Sequence, residues 1–348
     1  MPPFLLARIA TLEDPRFTRA AHAAQRSLTA FIPDHLDHGR SEHAMLPRLL
    51  HQNETGVRGM INRAISDAQG VETLPGVLVR AEGDAETGDA SVSEAYDGLG
   101  STFALFWEVF ARDSINDRAA PLEATVHYGK HYDNAFWDGR RMVFGDGDGE
   151  IFDGFTRSLS VIGHELAHGV TEFTAGLVYR DESGALNEHV SDVFGALVEQ
   201  YRRGQSAADA SWLIGEGIFT DQVEGNALRS LKAPGTAYDD DVLGKDPQPD
   251  HLDDYIETLD DNGGVHLNSG IPNRAFWSVA DTLGGNAWER AGQIWYDTLT
   301  GTSLTPRSDF AEFAAATVET AVARYGSNSP EHEAVIGGWT LVGITTAG

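Results

Sequence analysis

Two histidines four residues apart, His164 and His168, enclose a glutamate, Glu165, at the start of the stretch HELAHGVTEFTAGLVYRDESGALNEHVSD, which ends at Asp192. On a helix of about 3.6 residues per turn, side chains at i and i+4 leave one face, so both imidazoles can close on a single ion. Glu165 stands beside them on the helix. Two neutral imidazoles and a carboxylate free to take a proton from water on the metal make up the H-E-x-x-H type of zinc site.

Such a site needs a third protein ligand if one position is to stay open for water. A Gly three residues and a His six residues after His168 would mark the metzincin pattern, but those positions hold Thr171 and Thr174. Glu172 shares the first helix and would stack along it, and Glu182 falls in a turn-like DESG segment. Glu188 is better placed. ALNEHVSDVFGALVEQY reads as a second helix, with Leu186, Val190, Val193, Leu197 and Tyr201 at helical spacing. Asp192 lies one turn beyond Glu188 and can reach the ring nitrogen of a histidine that is not bound to metal. Asn187 completes the N-E-x-x-x-D pattern.

The elements that must position these groups follow from the rest of the chain. The zinc helix is expected over Leu159 to Thr174, with Gly176 closing it and the second helix ending at Gly204. Strands are expected at Val77 to Arg80, Thr125 to Tyr128 and Arg140 to Phe144, with a helix from Ser91 to Val109. GDGDGE at 145–150 is not an EF-hand loop, because position twelve from Asp146 is Arg157 where calcium needs a bidentate Glu. It is expected to be a turn. Residues 205–260 are rich in Pro, Gly and Asp and read as loops. The C-terminal part is helical: Asn286 to Thr300, Phe310 to Tyr325 capped by Ser308, and a last helix opened by Ser329 and Pro330.

Composition narrows the function classes. The 348 residues allow a sizeable core in one large or two modest domains. With 25 basic and 53 acidic residues the formal charge is −28, which excludes nucleic acid and anionic membranes as expected partners. No cysteine is present, so disulfides and thiolate ligands are excluded. MPPFLLARIATLEDPRF has no basic n-region and its apolar run is too short for a signal peptide or a membrane span. A cytoplasmic place, or export by a route that uses no signal peptide, is therefore expected. Residues 1–50 stand apart, with five of the 13 histidines (His22, His35, His38, His43, His51) and one helical stretch around Arg16 to Phe31.

From roughly Asn53 to the C-terminus the sequence resembles the thermolysin-like zinc metallopeptidases, the M4 family of gluzincins. The resemblance rests on NAFW at 134–137, the zinc segment, GALNE, and DNGGVHLNSGIPNRAF from Asp261 to Phe276. The N-terminal segment, HYGKHYDNAFW and GTAYDDDVLGKDPQPD are most similar to the protealysin-like branch in precursor form. The resemblance implies an α+β, two-domain fold: a propeptide at 1–50, a β-rich domain at 51–175 ending in the zinc helix, and a mainly helical domain at 176–348. It implies one catalytic Zn2+ held by His164, His168 and Glu188, with Glu165 as general base. His266, oriented by Asp261, and Tyr179 would stabilise the oxyanion, and Arg229 would bind a substrate carbonyl. Asn134 and Ala135 would hold extended substrate backbone by β-augmentation. Val161, Leu228 and Phe155 would line an apolar pocket, implying cleavage of peptides or proteins on the amino side of hydrophobic residues.

The same resemblance makes Pro2, Pro3 and Leu6 a Pro-Pro-x-x-Leu element of a propeptide that covers the cleft and removes itself between Leu46 and Val57. Latency through this segment, or through a dedicated protein inhibitor, remains open, as does a zinc aminopeptidase, although no G-x-M-E-N type motif is present. A monomer is expected. Glu199 and Glu216 match acidic positions of the thermolysin double calcium site, but Ser160, Ser211 and Leu213 replace other acids there. Two carboxylates alone make a poor Ca2+ cage, so one weakly held calcium ion or none is expected.

Overall fold

The computed structural model describes residues 1–30 and 56–346. Nearly all of the expected self-cleavage interval, Leu46 to Val57, lies outside the described residues, as do His35, His38, His43, His51, the end of the expected helix at Phe31 and the boundary at 50/51.

The first part of the body is a mixed sheet built from β1 (Arg63–Asp67), β2 (Val77–Ala81), β3 (Leu122–Val126), β4 (Ala135–Trp137) and β5 (Arg141–Phe144), in the order β2-β1-β3-β5-β4. The central pairs are parallel and the two outer pairs antiparallel, leaving β4 as an edge strand. The long helix α3 (Ala90–Phe110) packs on this sheet and buries Leu99, Phe103 and Phe106. Its first turn is capped by Asp89, which accepts from Val92 N at 3.2 Å. The strand expected at Thr125 to Tyr128 starts three residues earlier, at Leu122, and ends two earlier, at Val126. His127 ends it in the left-handed region at φ 55°, with its ring clamped between Asp146 at 2.8 Å and Asp89 at 3.0 Å. The Asp146 carboxylate, helped by Asp89 and outweighing partial desolvation, raises the pKa of that ring to about 9.

The second part is helical: α4 (Leu159–Glu172), α5 (Asp181–Arg203), α6 (Asp261–Asn268), α7 (Gly270–Leu283), α8 (Ala291–Thr300), α9 (Phe310–Tyr325) and α10 (Pro330–Leu341). Three expectations need correction. The DESG segment is not a turn but the start of α5, where Asp181 and Glu182 suit the free N–H groups of a first turn. The cap of α9 is Asp309, which accepts from Glu312 N at 2.8 Å, while Ser308 Oγ accepts from Thr305 N. Finally, α8 begins at Ala291 instead of Asn286, although Trp288 is still buried in the turn before it. Ser329 caps α10 as expected, accepting from His332 N at 3.1 Å. No helix among the described residues is long and apolar enough to cross a membrane.

The N-terminal segment forms two helices. One, α1 (Pro3–Ile9), was not expected; Pro3 opens it and Leu5, Leu6 and Ile9 are buried. The other, α2 (Thr18–Ala30), receives its cap from the body: Glu150 Oε2 accepts from Arg19 N at 2.9 Å and Ala20 N at 3.0 Å. The GDGDGE turn thus anchors this segment.

Helices α4 and α5 cross where neither carries a side chain. A Cβ on Gly163 would lie 3.1 Å from Gly195 Cα, and one on Gly195 would lie 2.5 Å from the Ser160 carbonyl oxygen and 3.0 Å from His164 N. Both are backbone contacts that cannot swing away. We expect Gly195→Ala to cost about 1–3 kcal/mol of stability, as overpacking does. Gly337→Ala, which meets nothing within 4 Å, should be neutral or mildly stabilising. Thermal melts of both substitutions on a Glu165→Ala background, which removes the expected general base, check this, and equal melting temperatures would contradict it.

Candidate active site

The crossing of α4 and α5 delivers His164, Glu165 and His168 from one helix and Glu188 from the other. His164 Nε2 and His168 Nε2 are 3.1 Å apart, with Glu188 carboxylate oxygens 3.6 and 3.4 Å from them. A tetrahedral ion with ligand distances of about 2 Å spaces its ligands by roughly 3.3 Å, so the three groups fit zinc. Glu188 Oε2 is buried without any hydrogen-bond partner, so its lone pairs are available to a cation. Among the described residues this is the one cluster of three such groups able to hold a metal.

The far sides of the rings are tied down. His168 Nδ1 faces Asn187 Oδ1 at 2.8 Å and Ser191 Oγ at 3.0 Å, and Asn187 Nδ2 donates to Leu177 O. His164 Nδ1 lies 2.8 Å from Asp192 Oδ1, a close contact bent off the N–H line. Arg229 forks onto Asp192, with Nε donating to Oδ2 at 2.9 Å and Nη2 to Oδ1 at 2.7 Å. Burial alone would raise the pKa of Asp192, but Arg229 and His164 outweigh it and hold the carboxyl far below the usual range. Glu188 behaves alike: desolvation is outweighed by His266, His164 and His168, and the carboxyl stays ionised. For His168, desolvation would lower the pKa, but the Glu188 carboxylate raises it instead.

Tyr179 and His266 face the cluster from the other wall. The Tyr179 hydroxyl donates to Glu188 Oε1 in a short hydrogen bond and lies 3.3 Å from His266 Nε2. Burial, with Glu188 nearby, pushes the phenol well above its ordinary pKa, so it remains a donor. His266 Nδ1 is 2.6 Å from Asp261 Oδ1, and its backbone N–H donates to Asp261 Oδ2. Around this chelate Asp261, Asn262, Gly263 and Gly264 all stand at positive φ. Gly263, at φ 90°, stands where an L side chain is strained, and a Cβ there would also lie 3.0 Å from Asp181 N.

Asn134, Ala135, Phe155, Val161, Leu228 and Arg229 line the same cleft as His164, Glu165, His168, Tyr179, Glu188 and His266, whereas Pro2, Pro3 and Leu6 do not line it. Arg229, read as a loop residue, lies in the short strand β7 (Arg229–Ser230), paired with β6 (Leu213–Ile214). Sequence reasoning missed Ile214, Trp137 and Met1 in the cleft wall. Ile214 sits in a strand too short for any periodicity. Met1 lies next to the expected Pro-Pro-x-x-Leu element, and its α-amino group donates to Asn134 Oδ1 at 2.8 Å. Burial is the largest influence on that amine and lowers its pKa, against the opposing pull of Glu165. The expected calcium positions hold a cation of the chain itself: Arg203 lies 2.7 Å from Glu199 and 4.0 Å from Glu216.

A mixed-sheet domain and a helical domain, with a His-His-Glu cluster beside a free carboxylate at their junction, define a zinc-dependent hydrolase. Residues 56–172 match the family model for the thermolysin metallopeptidase catalytic domain, and residues 175–344 match that for its alpha-helical domain. An extracellular metalloprotease of Pectobacterium carotovorum subsp. carotovorum is 48% identical over 345 residues, 99% of this chain and 95% of that one. A thermolysin of Alicyclobacillus acidocaldarius is 40% identical over 288 residues, 80% of this chain and 50% of its own. The solved precursor of protealysin from Serratia proteamaculans superposes with a TM-score of 0.89 at 48% identity, covering 99% of both chains. The chain belongs to the thermolysin-like (M4) zinc metallopeptidase family.

One buried group near the site was not singled out from the sequence. His189 follows Glu188 and is fully enclosed, and desolvation lowers its pKa from 6.5 to about 4. Because the folded value lies below the unfolded one, the unfolded chain binds more protons between these limits. This contribution to stability is whole above pH 6.5 and falls as pH drops towards 4, by roughly 3 kcal/mol. We expect the His189 ring signals in NMR to titrate near pH 4 in the folded protein; a midpoint at 6.5 would contradict the enclosure.

Proposed function

We propose that this chain is the latent precursor of a neutral zinc endopeptidase that cuts on the amino side of hydrophobic residues. The observation that carries the reading is a zinc-fitting His164–His168–Glu188 cluster, beside Glu165, in a cleft where the chain's own Met1 lies against Asn134. When bound, zinc would polarise the scissile carbonyl and lower the pKa of the attacking water to near 7.

The protein's own groups do the rest. The edge strand β4 and Asn134 would align extended substrate backbone. Phe155, Val161, Ile214 and Leu228 would take the apolar side chain that follows the cut bond. Glu165, buried and without a bonded partner among the described residues, would accept the proton of the attacking water and hand it to the departing nitrogen. Tyr179 and His266 would donate to the oxygen on which negative charge develops, His266 being held in place by Asp261. Arg229, already fixed by Asp192, would hold a substrate carbonyl. Residues 1–30 would block this path, since Met1 uses the Asn134 amide that substrate backbone needs. Calcium is not assigned a role, because Arg203 stands between Glu199 and Glu216.

Incubating the full chain with zinc and following its intact mass tests the reading. We expect the wild type to lose its N-terminal segment within the Leu46–Val57 interval while Glu165→Ala stays whole. A chain that stays whole, and yields no peptidase activity after removal of residues 1–50, would sink the proposal. In the processed enzyme, Glu165→Gln should lower kcat by about 100- to 10,000-fold with zinc retained. His266→Ala should cost on the order of a hundredfold in kcat with little change in KM.

A further inference from the structure

The reaction as derived makes no use of His189, although it sits beside a zinc ligand in the centre of the helical domain. Its ring is enclosed by Trp295 and Phe313, whose centroids lie 6.2 and 5.8 Å away, yet both of its nitrogens are satisfied. Trp295 Nε1 lies 2.7 Å from His189 Nε2, and His189 Nδ1 lies 2.8 Å from Asn273 Oδ1. Asn273 Nδ2 in turn donates to Asp192 Oδ2 at 2.8 Å. The four residues come from α8, α5, α7 and again α5, and all are buried.

The direction of every bond in this chain is determined by its far end. An indole N–H only donates, so Nε2 of His189 must be the acceptor and Nδ1 must carry the proton. That proton points at Asn273, so the amide oxygen must face the histidine and the NH2 must face Asp192. Asp192 thereby receives donors from both Arg229 and Asn273 on Oδ2, and its other oxygen accepts from Arg229 Nη2 and stands over His164 Nδ1. Since that last contact is bent, a small rotation of the carboxylate decides whether it orients the ring.

We propose that Trp295, His189 and Asn273 are positioning residues: a one-way hydrogen-bond chain that sets the orientation of Asp192 and, through it, of the zinc ligand His164 and of Arg229. The chain rests on the zinc site of the proposed function but not on peptide hydrolysis. Losing the indole donor frees His189 to move its proton to Nε2. Nδ1 then becomes an acceptor, the Asn273 amide turns over, and its oxygen meets the Asp192 carboxylate.

The test uses the full-length Glu165→Ala chain loaded with zinc, which cannot process itself. Zinc dissociation into excess chelator is followed for this chain and for its Trp295→Phe, Asn273→Leu and doubly substituted forms. We expect each single substitution to speed zinc loss about tenfold, the low end for residues that support a metal ligand. The double substitution should add little to either, because the two act along one chain. Unchanged dissociation with lowered melting temperatures would overturn the proposal and leave a structural role. Nitrogen NMR of His189 in the unsubstituted chain is independent of whether the variants fold: an Nδ1–H tautomer is expected, and an Nε2–H tautomer would overturn the chain outright. Failure of the parent chain to bind zinc would refute the zinc reading, while the tautomer would still decide the proposal.

Discussion

The structure depends on the contact of two helices at a pair of glycines. Gly163 and Gly195 let α4 and α5 meet backbone to backbone, and only at that separation do His164 and His168 on one helix share a focus with Glu188 on the other. A methyl group at Gly195 would press on the Ser160 carbonyl and on the amide of His164 itself, so strain would reach the metal-binding residues directly. The surrounding core, from Phe194 and Leu197 to Trp295 and Phe313, holds that crossing and keeps water away from it.

Buried charge is the second constraint, and it is met locally. Glu188 and Asp192 are enclosed completely, and an isolated buried carboxylate would give up its charge instead of staying ionised. Arg229 and the imidazoles of His164, His168 and His266 prevent this, so two anions are retained a few ångströms from where substrate would be cut. Breaking one member, such as Arg229, would leave Asp192 without its largest opposing charge, and such losses are among the costliest in protein interiors.

Residues 1–30 are held at two places that differ in kind. At one, α1 buries Leu5, Leu6 and Ile9, and Met1 reaches Asn134 in the cleft; at the other, Glu150 caps α2 from the body. The first contact lies in the cleft that holds His164, His168 and Glu188, whereas the second lies away from them. Occupancy of the cleft therefore follows from a docked helical unit, not from a few residues reaching in alone.

Much of the site was legible in the sequence because its determinants are local. Four-residue spacing puts two histidines on one helical face wherever the helix lies, and the repeat of Leu186, Val190, Val193 and Leu197 marks the second helix without its surroundings. Cap pairs such as Ser329 and Pro330 are equally local, and family likeness supplied His266, Tyr179 and Arg229. Local rules failed where a distant group decided the outcome. The strand at β3 ends early because Asp89 and Asp146 hold His127, and Glu182 of DESG, in the first turn of α5, accepts from the distant Phe310 N. Ile214 lines the cleft only because β6 pairs with β7 across the chain. By itself, then, the sequence determined which side chains could hold zinc and move a proton. Only the tertiary structure decided that Arg229 and Asn273 both grip Asp192, that Met1 lies in the cleft, and that His189 stays neutral, because those facts depend on burial and on partners brought together from elements far apart in the chain.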